Sequence, residues 1–319
     1  MEILFLGTAA AEGWPAVFCR CEACCRARAA GHENIRTRAS LLIDGRFKFD
    51  LGPDTYHQAL VHGVDLGLVR YVFITHSHSD HFYPAELEMR RPPFAHPAPG
   101  EEHDPGLDVY GNEMVVRKAL ELKVAEDAGE AGPADDGLES VSEPEAQPEP
   151  RQGALVRVHR VKAFRPFRAG DAELVPLRAD HKPDEEALFY LFRRGGKTLL
   201  YGLDTGYFPE ETWAWLEGES GRRWVGDGLD LVILDCTSGP LPGDRRRIHM
   251  NIETDLAVRE RLLAAGLTAP ACRFVATHFS HNGGLLHSEL KAAFRQHLTE
   301  RGLPPDTFIV AYDGLRLTI

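Results

Sequence analysis

The chain has 319 residues, 43% of them hydrophobic and 26% charged, with a formal net charge of −12. That length buries a core without help from disulfides, as one large domain or two smaller ones. No apolar run approaches the ~20 residues of a membrane span, and the acidic balance argues against broad attraction to nucleic acid or anionic membranes.

The start, Met1-Glu2-Ile3-Leu4-Phe5-Leu6-Gly7, has no basic segment and only a short apolar run, so no signal peptide is expected and the reading is a cytoplasmic protein. Glu2–Leu6 reads as a first strand. Leu41-Leu42-Ile43 and Phe47-Lys48-Phe49 flank Asp44-Gly45-Arg46, a hairpin signal. Val69–Ile74 is a buried strand that runs into a histidine cluster, and Leu107–Tyr110 is another strand. From Asn112 to about Ala125 the spacing of Val115, Val116, Ala119, Leu120 and Val124 predicts a helix. Residues 125–150 then hold nine acidic side chains, no basic one and seven Gly or Pro residues. Such a segment buries too little apolar area to offset its ordering entropy and is expected to be a mobile insert without chemistry. It carries most of the negative charge, leaving −3 on the rest of the chain.

Strands resume at Ala154–Val158 and Glu173–Leu177, and Ala187–Phe192 and Lys197–Tyr201 sit either side of Gly195-Gly196 as a second hairpin. Leu229–Leu234, Arg273–Ala276 and Phe308–Tyr312 complete the strands. Helices fit at Pro209–Leu216, Ile252–Ala265 and Ser288–Arg301. Hairpins mixed with helices favour an α/β sandwich over a uniformly alternating parallel sheet, in one domain over residues 1–319.

Fifteen histidines and six cysteines are the unusual counts. Thr75-His76-Ser77-His78-Ser79-Asp80-His81 places three imidazoles and a carboxylate, ligands suited to Zn, Fe and Mn, in one turn after a strand. His76 and His78 alternate and share a face, while Asp80 and His81 fall past the turn, where they can serve a second ion. Further candidates follow later strands: His181 in Ala179-Asp180-His181, Asp204 in Gly202-Leu203-Asp204, and His278 in Ala276-Thr277-His278. Each alone reads as a strand cap; together they form a set. Cys19, Cys21 and Cys24 have the C-x-C-x-x-C spacing of three thiolates on one tetrahedral zinc. His281 is chosen as the fourth ligand, and Cys25 is the alternative to Cys24. Cys236 and Cys272 flank apolar strands and read as core residues.

The order H-x-H-x-D-H, then His, Asp and His, with Phe49-Asp50-Leu51-Gly52 upstream, resembles the metallo-β-lactamase-fold hydrolases. The resemblance covers nearly the whole chain outside the insert. It implies a four-layer αβ/βα sandwich with two divalent ions at one edge. His76, His78 and His181 would hold one ion; Asp80, His81 and His278 would hold the other. Asp204 would bridge them, and Asp50 would orient a ligand. Gly7-Thr8-Ala9 together with C-x-C-x-x-C and Asp235-Cys236-Thr237-Ser238 is similar to the PhnP group of cyclic-phosphate phosphodiesterases. The cysteine spacing also resembles PqqB, a cofactor-biosynthesis protein, although that group does not keep the ordinary dimetal set.

The resemblance implies hydrolysis of a small phosphodiester by a metal-bridging hydroxide. Asp80 is counted as catalytic as well as a ligand, and His249, in Ile248-His249-Met250-Asn251, as the general acid. Arg245, Arg246 and Arg247 lie just upstream and are weak candidates for contacting substrate phosphate. The expected cofactors are two active-site ions (Mn, Zn or Fe) and one structural Zn. The expected partner is the small substrate alone, with no membrane and no nucleic acid, and a homodimer remains open. The competing readings are a tRNA 3′-end nuclease of the same fold, a thioester or lactone hydrolase, and a non-catalytic metal protein of the PqqB kind. Redox members of the fold carry Glu where this chain has His78, and an attached flavin domain that it lacks.

Overall fold

The computed structural model describes residues 1–99, 105–132, 155–242 and 248–319. In chain order the strands are β1 (Glu2–Gly7), β2 (Ser40–Ile43), β3 (Phe47–Phe49), β4 (Tyr71–Phe73), β5 (Leu107–Gly111), β6 (Glu126–Glu130) and β7 (Val156–Arg160), followed by β8 (Phe167–Ala169), β9 (Ala172–Arg178), β10 (Leu188–Arg194), β11 (Lys197–Gly202), β12 (Leu229–Asp235), β13 (Thr268–Thr277), β14 (Phe308–Val310) and β15 (Arg316–Thr318). The helices are α1 (Glu22–Ala30), α2 (Thr55–His62), α3 (Glu113–Glu121), α4 (Glu210–Glu217), α5 (Glu219–Val225), α6 (Ile252–Ala264) and α7 (His287–Glu300). One sheet runs β15-β1-β2-β3-β4-β5-β7-β6, the other β14-β13-β12-β11-β10-β9-β8.

Strand alternation sorts the apolar side chains into three layers. Ile3 and Phe5 of β1, Phe47 and Phe49 of β3, Tyr190 and Phe192 of β10, and Leu231 and Ile233 of β12 meet between the sheets. Leu4, Leu6, Val72 and Val109 face outward in one cluster with Val115, Val116 and Ala119 of α3, which lies on β5 and β7, while α2 lies against β1. On the far side Leu191, Val232 and Leu234 are covered by Trp213, Leu256, Leu290 and Phe294, from α4, α6 and α7. Four layers, helix–sheet–sheet–helix, follow, as the α/β sandwich reading expects. Both hairpins form where expected. Gly195 and Gly196 take φ of 57° and 73°, with Arg194 facing Lys197, the two-residue turn whose left-handed backbone matches strand twist.

Three differences from the sequence reading have local causes. Helix α3 ends at Glu121, and within the acidic segment Glu126–Glu130 forms an edge strand parallel to β7. Arg160, ending β7, pairs with Asp127, and Lys162, just past it, pairs with Glu130, so these two acids meet cations rather than solvent alone. The mobile-insert expectation is therefore corrected for 126–130; residues 133–150 lie outside the described residues. Helix α2 escaped notice because it buries Thr55, Gln58 and Ala59 while Tyr56, Leu60 and Val61 are exposed, the reverse of an apolar face. Helix α1 coincides with the cysteine motif: Cys21 is its N-cap, its sulfur accepting from the Cys24 amide. Among the described residues, no helix is long and apolar enough to cross a membrane.

Lys48, between Phe47 and Phe49, points to the opposite face and is fully buried, its Nζ donating to Ser40 Oγ (2.5 Å) and the Asp50 carbonyl (2.6 Å). Burial pulls its ammonium down to about 7, against the pull of Asp50. The folded state then holds fewer protons than the unfolded chain between about pH 7 and 10.5, so this lysine's destabilisation is full below that window and fades as pH rises through it. Lys48→Met is expected to be more stable than the parent near pH 7, by up to about 5 kcal/mol. The gap should close toward pH 10.5. Denaturant melts across that range check it.

Candidate metal centre

Strand direction gathers the site. β3, β4 and β5 run parallel, so residues just past their C-terminal ends lie on one edge of the first sheet. β11, β12 and β13 run parallel in the second sheet, and β9, antiparallel to β10, points the same way. Asp50, His76–His81, His181, Asp204, Asp235 and His278 all follow or end these strands. Asp50 and His278, directly after β3 and β13, and Asp204, two residues after β11, take φ of 59°, 61° and 47°, left-handed backbone of the kind concentrated at functional sites. At Gly52 a Cβ would lie 2.0 Å from the Asp80 carbonyl oxygen, so only glycine lets the two ligand-bearing loops close on each other.

The donor atoms converge in two groups. His76 Nε2 lies 2.8 Å from His78 Nδ1, and His181 Nε2 lies 3.3 Å from the same atom. His81 Nε2 lies 3.0 Å from Asp80 Oδ2 and 2.6 Å from Asp204 Oδ2, with His278 Nε2 3.1 Å from Asp204 Oδ2. Asp204 touches both groups, because its Oδ1 is 3.7 Å from His181 Nε2.

Outer partners decide which ring nitrogen is free. His81 Nδ1 donates to Asp50 Oδ2 (2.8 Å), while Asp50 Oδ1 accepts from the Thr75 amide (2.8 Å) and hydroxyl (3.0 Å). With its proton so committed, Thr75 Oγ1 accepts from His76 Nδ1 (3.0 Å). Thr237 Oγ1 donates to the His278 carbonyl (2.8 Å) and so accepts from His278 Nδ1 (2.6 Å). His181 Nδ1 donates to the Ile248 carbonyl (3.2 Å). Each of these imidazoles spends its Nδ1–H outward, so Nε2 is the nitrogen that faces inward; His78 presents Nδ1 instead.

Whether these residues suit cations is answered by the atoms themselves. His81 Nε2, Asp204 Oδ2 and His278 Nε2 are buried without a hydrogen bond of acceptable geometry. Buried polar atoms left so are costly unless positive charge sits among them. Burial resists charge on Asp204, yet His278 and His81 hold its carboxyl well below the usual range. Against the same resistance, Asp204, Asp80 and Asp50 hold His81 well above its ordinary value. The pocket is a buried concentration of negative charge, and the donor set fits divalent ions.

His249 stands beside Asp204, Nδ1 to Oδ1 at 3.8 Å, and donates from Nδ1 to Asp235 Oδ2 (2.9 Å). Burial lowers this imidazole, but the charge and hydrogen bond of Asp235, with Asp204 beside them, outweigh it and raise His249 to about 9. Asp235 is fully buried and is itself fixed by the Thr237 amide (2.9 Å) and Met250 amide (3.3 Å) on Oδ1. The sequence reading assigned Asp235 no role, since one Asp ending an apolar strand carries no distinguishing signal; Thr75 and Thr237 were missed for the same reason. Arg245, Arg246 and Arg247 lie outside the described residues.

The thiol cluster forms separately. Ligand atoms of Cys19, Cys21, Cys24 and His281 all lie within 4.8 Å of one another. His281 Nδ1 is 3.4 Å from Cys21 Sγ and 3.9 Å from Cys19 Sγ. Backbone amides of Ala16, Cys21 and Cys24 donate to Cys24, Cys19 and Cys21 sulfur respectively. The Cys24 amide and His281 bring the Cys21 thiol down to about 6, while burial pushes Cys24 up to about 11. Cys25 is exposed and turned to the Arg20 carbonyl, so it is Cys24 that joins the cluster. Cys236 is buried in the core as expected.

Residues 45–279, well over half of the chain, match the family described as Beta-lactamase superfamily domain. Ribonuclease Z of Staphylococcus carnosus (strain TM300) is 51% identical over 35 residues, 11% of this chain and 11% of that protein, and ribonuclease Z of Staphylococcus aureus (strain JH9) matches to the same extent. The chain thus covers only 11% of the length of these curated relatives. Among solved structures, a diphosphatase from the PhnP family aligns with a TM-score of 0.62 at 22% identity, over 100% of this chain and 97% of that one. Zn2+-bound PqqB from Methylobacterium extorquens aligns with a TM-score of 0.66 at 18% identity over 100% of both chains. Human tRNase Z, short form, gives 0.56 at 18% identity over 100% and 99%. Likeness at these identities establishes the fold. With its two-sheet sandwich and a converging His/Asp donor set at one edge, the chain belongs to the beta-lactamase superfamily, in the company of its metal-dependent hydrolases.

Proposed function

We propose that this chain is a dinuclear-metal phosphodiesterase acting on a small, cyclic ribosyl or similar, phosphodiester. The observation that carries the reading is Asp204, whose two oxygens divide between the His181 side and the His81–His278 side of one buried cluster. His76, His78 and His181 would hold one divalent ion, Asp80, His81 and His278 the other, with Asp204 between them. Two such ions acidify a water to a nucleophile near neutral pH and offset charge on phosphoryl oxygens. Cys19, Cys21, Cys24 and His281 would hold a third, structural zinc, and thiolates kept for metal suit a reducing, cytoplasmic setting.

The chain's own residues supply the rest. Asp50 fixes the ring of His81, and Thr75 fixes that of His76, so the ligands stand ready rather than being ordered on binding. Asp235 holds the Nδ1 proton of His249, which leaves Nε2 to deliver a proton to a departing alkoxide. A pKa raised by Asp235 keeps that ring charged near neutrality, the state an acid needs.

The nuclease reading draws on the 51% identity to ribonuclease Z over 35 residues. Against it stands the charge: the chain outside the acidic segment carries −3, with no basic excess to track an RNA backbone. Metal-loaded protein is expected to hydrolyse bis(p-nitrophenyl) phosphate, to leave precursor tRNA intact, and to turn over a lactone far more slowly. Cleavage of the tRNA, or a faster lactone rate, would replace the proposal with the corresponding rival.

A further inference from the structure

Glu185 lies four residues after His181 in the connection between β9 and β10, its side chain only 3% exposed. Its Oε1 accepts from both the amide and the hydroxyl of Ser77, each at 3.0 Å, and its Oε2 accepts from Asn112 Nδ2 at 3.2 Å. Lys182 Nζ stands 3.6 Å from Oε1 and partly balances its charge. Ser77 is the residue between His76 and His78. One carboxylate on the loop that carries His181 therefore grips the turn that carries the other two imidazoles of that group.

The segments come from different sheets, and their relative position sets whether three nitrogens meet at one point. On the second-sheet side the loop is anchored by Asp180, whose amide donates to Thr205 Oγ1 (3.1 Å) and whose carbonyl accepts from the Gly206 and Ile248 amides. Across to the first sheet the backbone link is the Leu188 amide on the Thr75 carbonyl (2.9 Å). Asn112 Nδ2 on the Glu186 carbonyl (2.8 Å) and Tyr190 Oη on the Ile74 carbonyl (2.8 Å) add side-chain links, and Glu185 adds the one that lands on Ser77 itself, the residue between His76 and His78. Among the described residues its partners are Ser77, Asn112 and Lys182, not Asp80, His81 or His278. From this geometry we infer that Glu185 is a positioning residue, which sets the separation of His181 from His76 and His78 and so the affinity of the ion site those three make. The inference rests on the proposed ligand grouping above.

The test reads metal, not turnover. Zinc-loaded protein is titrated with a competing chelator and its bound zinc counted, with a thermal melt to verify folding. Glu185→Ala is expected to weaken one zinc by about 10- to 100-fold, the usual cost of losing a partner behind a ligand, while the thiolate zinc and the second histidine-site zinc stay. Glu185→Gln keeps at Oε1 an acceptor for both the amide and the hydroxyl of Ser77 and gives up only the charge and the Asn112 contact, so it should recover most of the affinity. Adding Glu185→Ala to His181→Ala should release no further zinc; adding it to His278→Ala should release both histidine-site ions. Wild-type affinities in Glu185→Ala, or further loss on top of His181→Ala, would overturn the inference. If Glu185→Ala does not fold, Ser77→Ala decides: it removes only the hydroxyl bond, and unchanged affinity of the His181-dependent zinc overturns the inference equally. Should the parent protein bind no zinc beyond that at the cysteines, the ligand grouping itself is what fails.

Discussion

Asp204→Ala is expected to lower kcat/KM for bis(p-nitrophenyl) phosphate by about 10³-fold or more, about 4 kcal/mol of transition-state stabilisation. Losing a group behind a ligand costs 10- to 100-fold in affinity or activity. Asp204 is nearer than that, with one oxygen 2.6 Å from His81 Nε2 and 3.1 Å from His278 Nε2, and the other turned to His181. Its removal strips both groups of their shared negative charge at once, so ion retention and rate should fall together. Asp204→Asn keeps the shape without the charge and should lie between parent and alanine variant. The thiolate zinc should survive in both, because Cys19, Cys21, Cys24 and His281 form a cluster of their own. Zinc content and rate measured on the same preparations check this. A full rate with Asp204 gone would end the two-ion reading.

The imidazoles and Asp204 were legible because each follows an apolar strand, and strands are read from two-residue alternation. A residue just past such a run must emerge at a sheet edge, and parallel strands put their C-terminal ends on the same edge. The same logic did not single out Asp235. It ends β12 as any strand may end in an acid, and only three dimensions show its Oδ2 at 2.9 Å from His249 Nδ1. Glu185 was harder still, one acid in a loop of several. Its meaning lies in a contact with Ser77, 108 positions away in sequence. Helix α2 was missed because its exposed face is the apolar one, and the edge strand β6 because composition alone cannot see that Arg160 and Lys162 lie beside its acids.

Charge tells a related story. A net of −12 reads as a protein that repels anions, yet much of it sits in 125–150, and the described part of that segment is paired with β7. The remaining acids that matter, Asp50, Asp80, Asp204 and Asp235, are buried together at one edge. They concentrate negative charge where the proposed cations would bind, and a site so loaded would present positive charge to the proposed phosphodiester. Acidity and the proposed anionic substrate are then consistent, since the buried acids would hold the cations that receive it.

His249→Ala should lower kcat by about 10²- to 10⁴-fold for a phosphodiester with an alkyl leaving group, the range of a lost general acid. With p-nitrophenolate leaving the loss should be far smaller, since that anion departs without a proton. This contrast separates proton delivery from simple positioning, which would slow both substrates alike. The pH dependence has a definite sign. A general acid works protonated, so activity must fall as pH rises through the pKa of His249. Asp235 raises that ring to about 9, and the field of bound cations would draw it lower, so the alkaline limb belongs at or below pH 9. Asp235→Asn keeps an acceptor on the ring but removes the charge. It should move the limb toward more acidic pH and slow the alkyl substrate, with little change in KM. An alkaline limb that stays fixed in Asp235→Asn would mean that His249 is not the group that titrates.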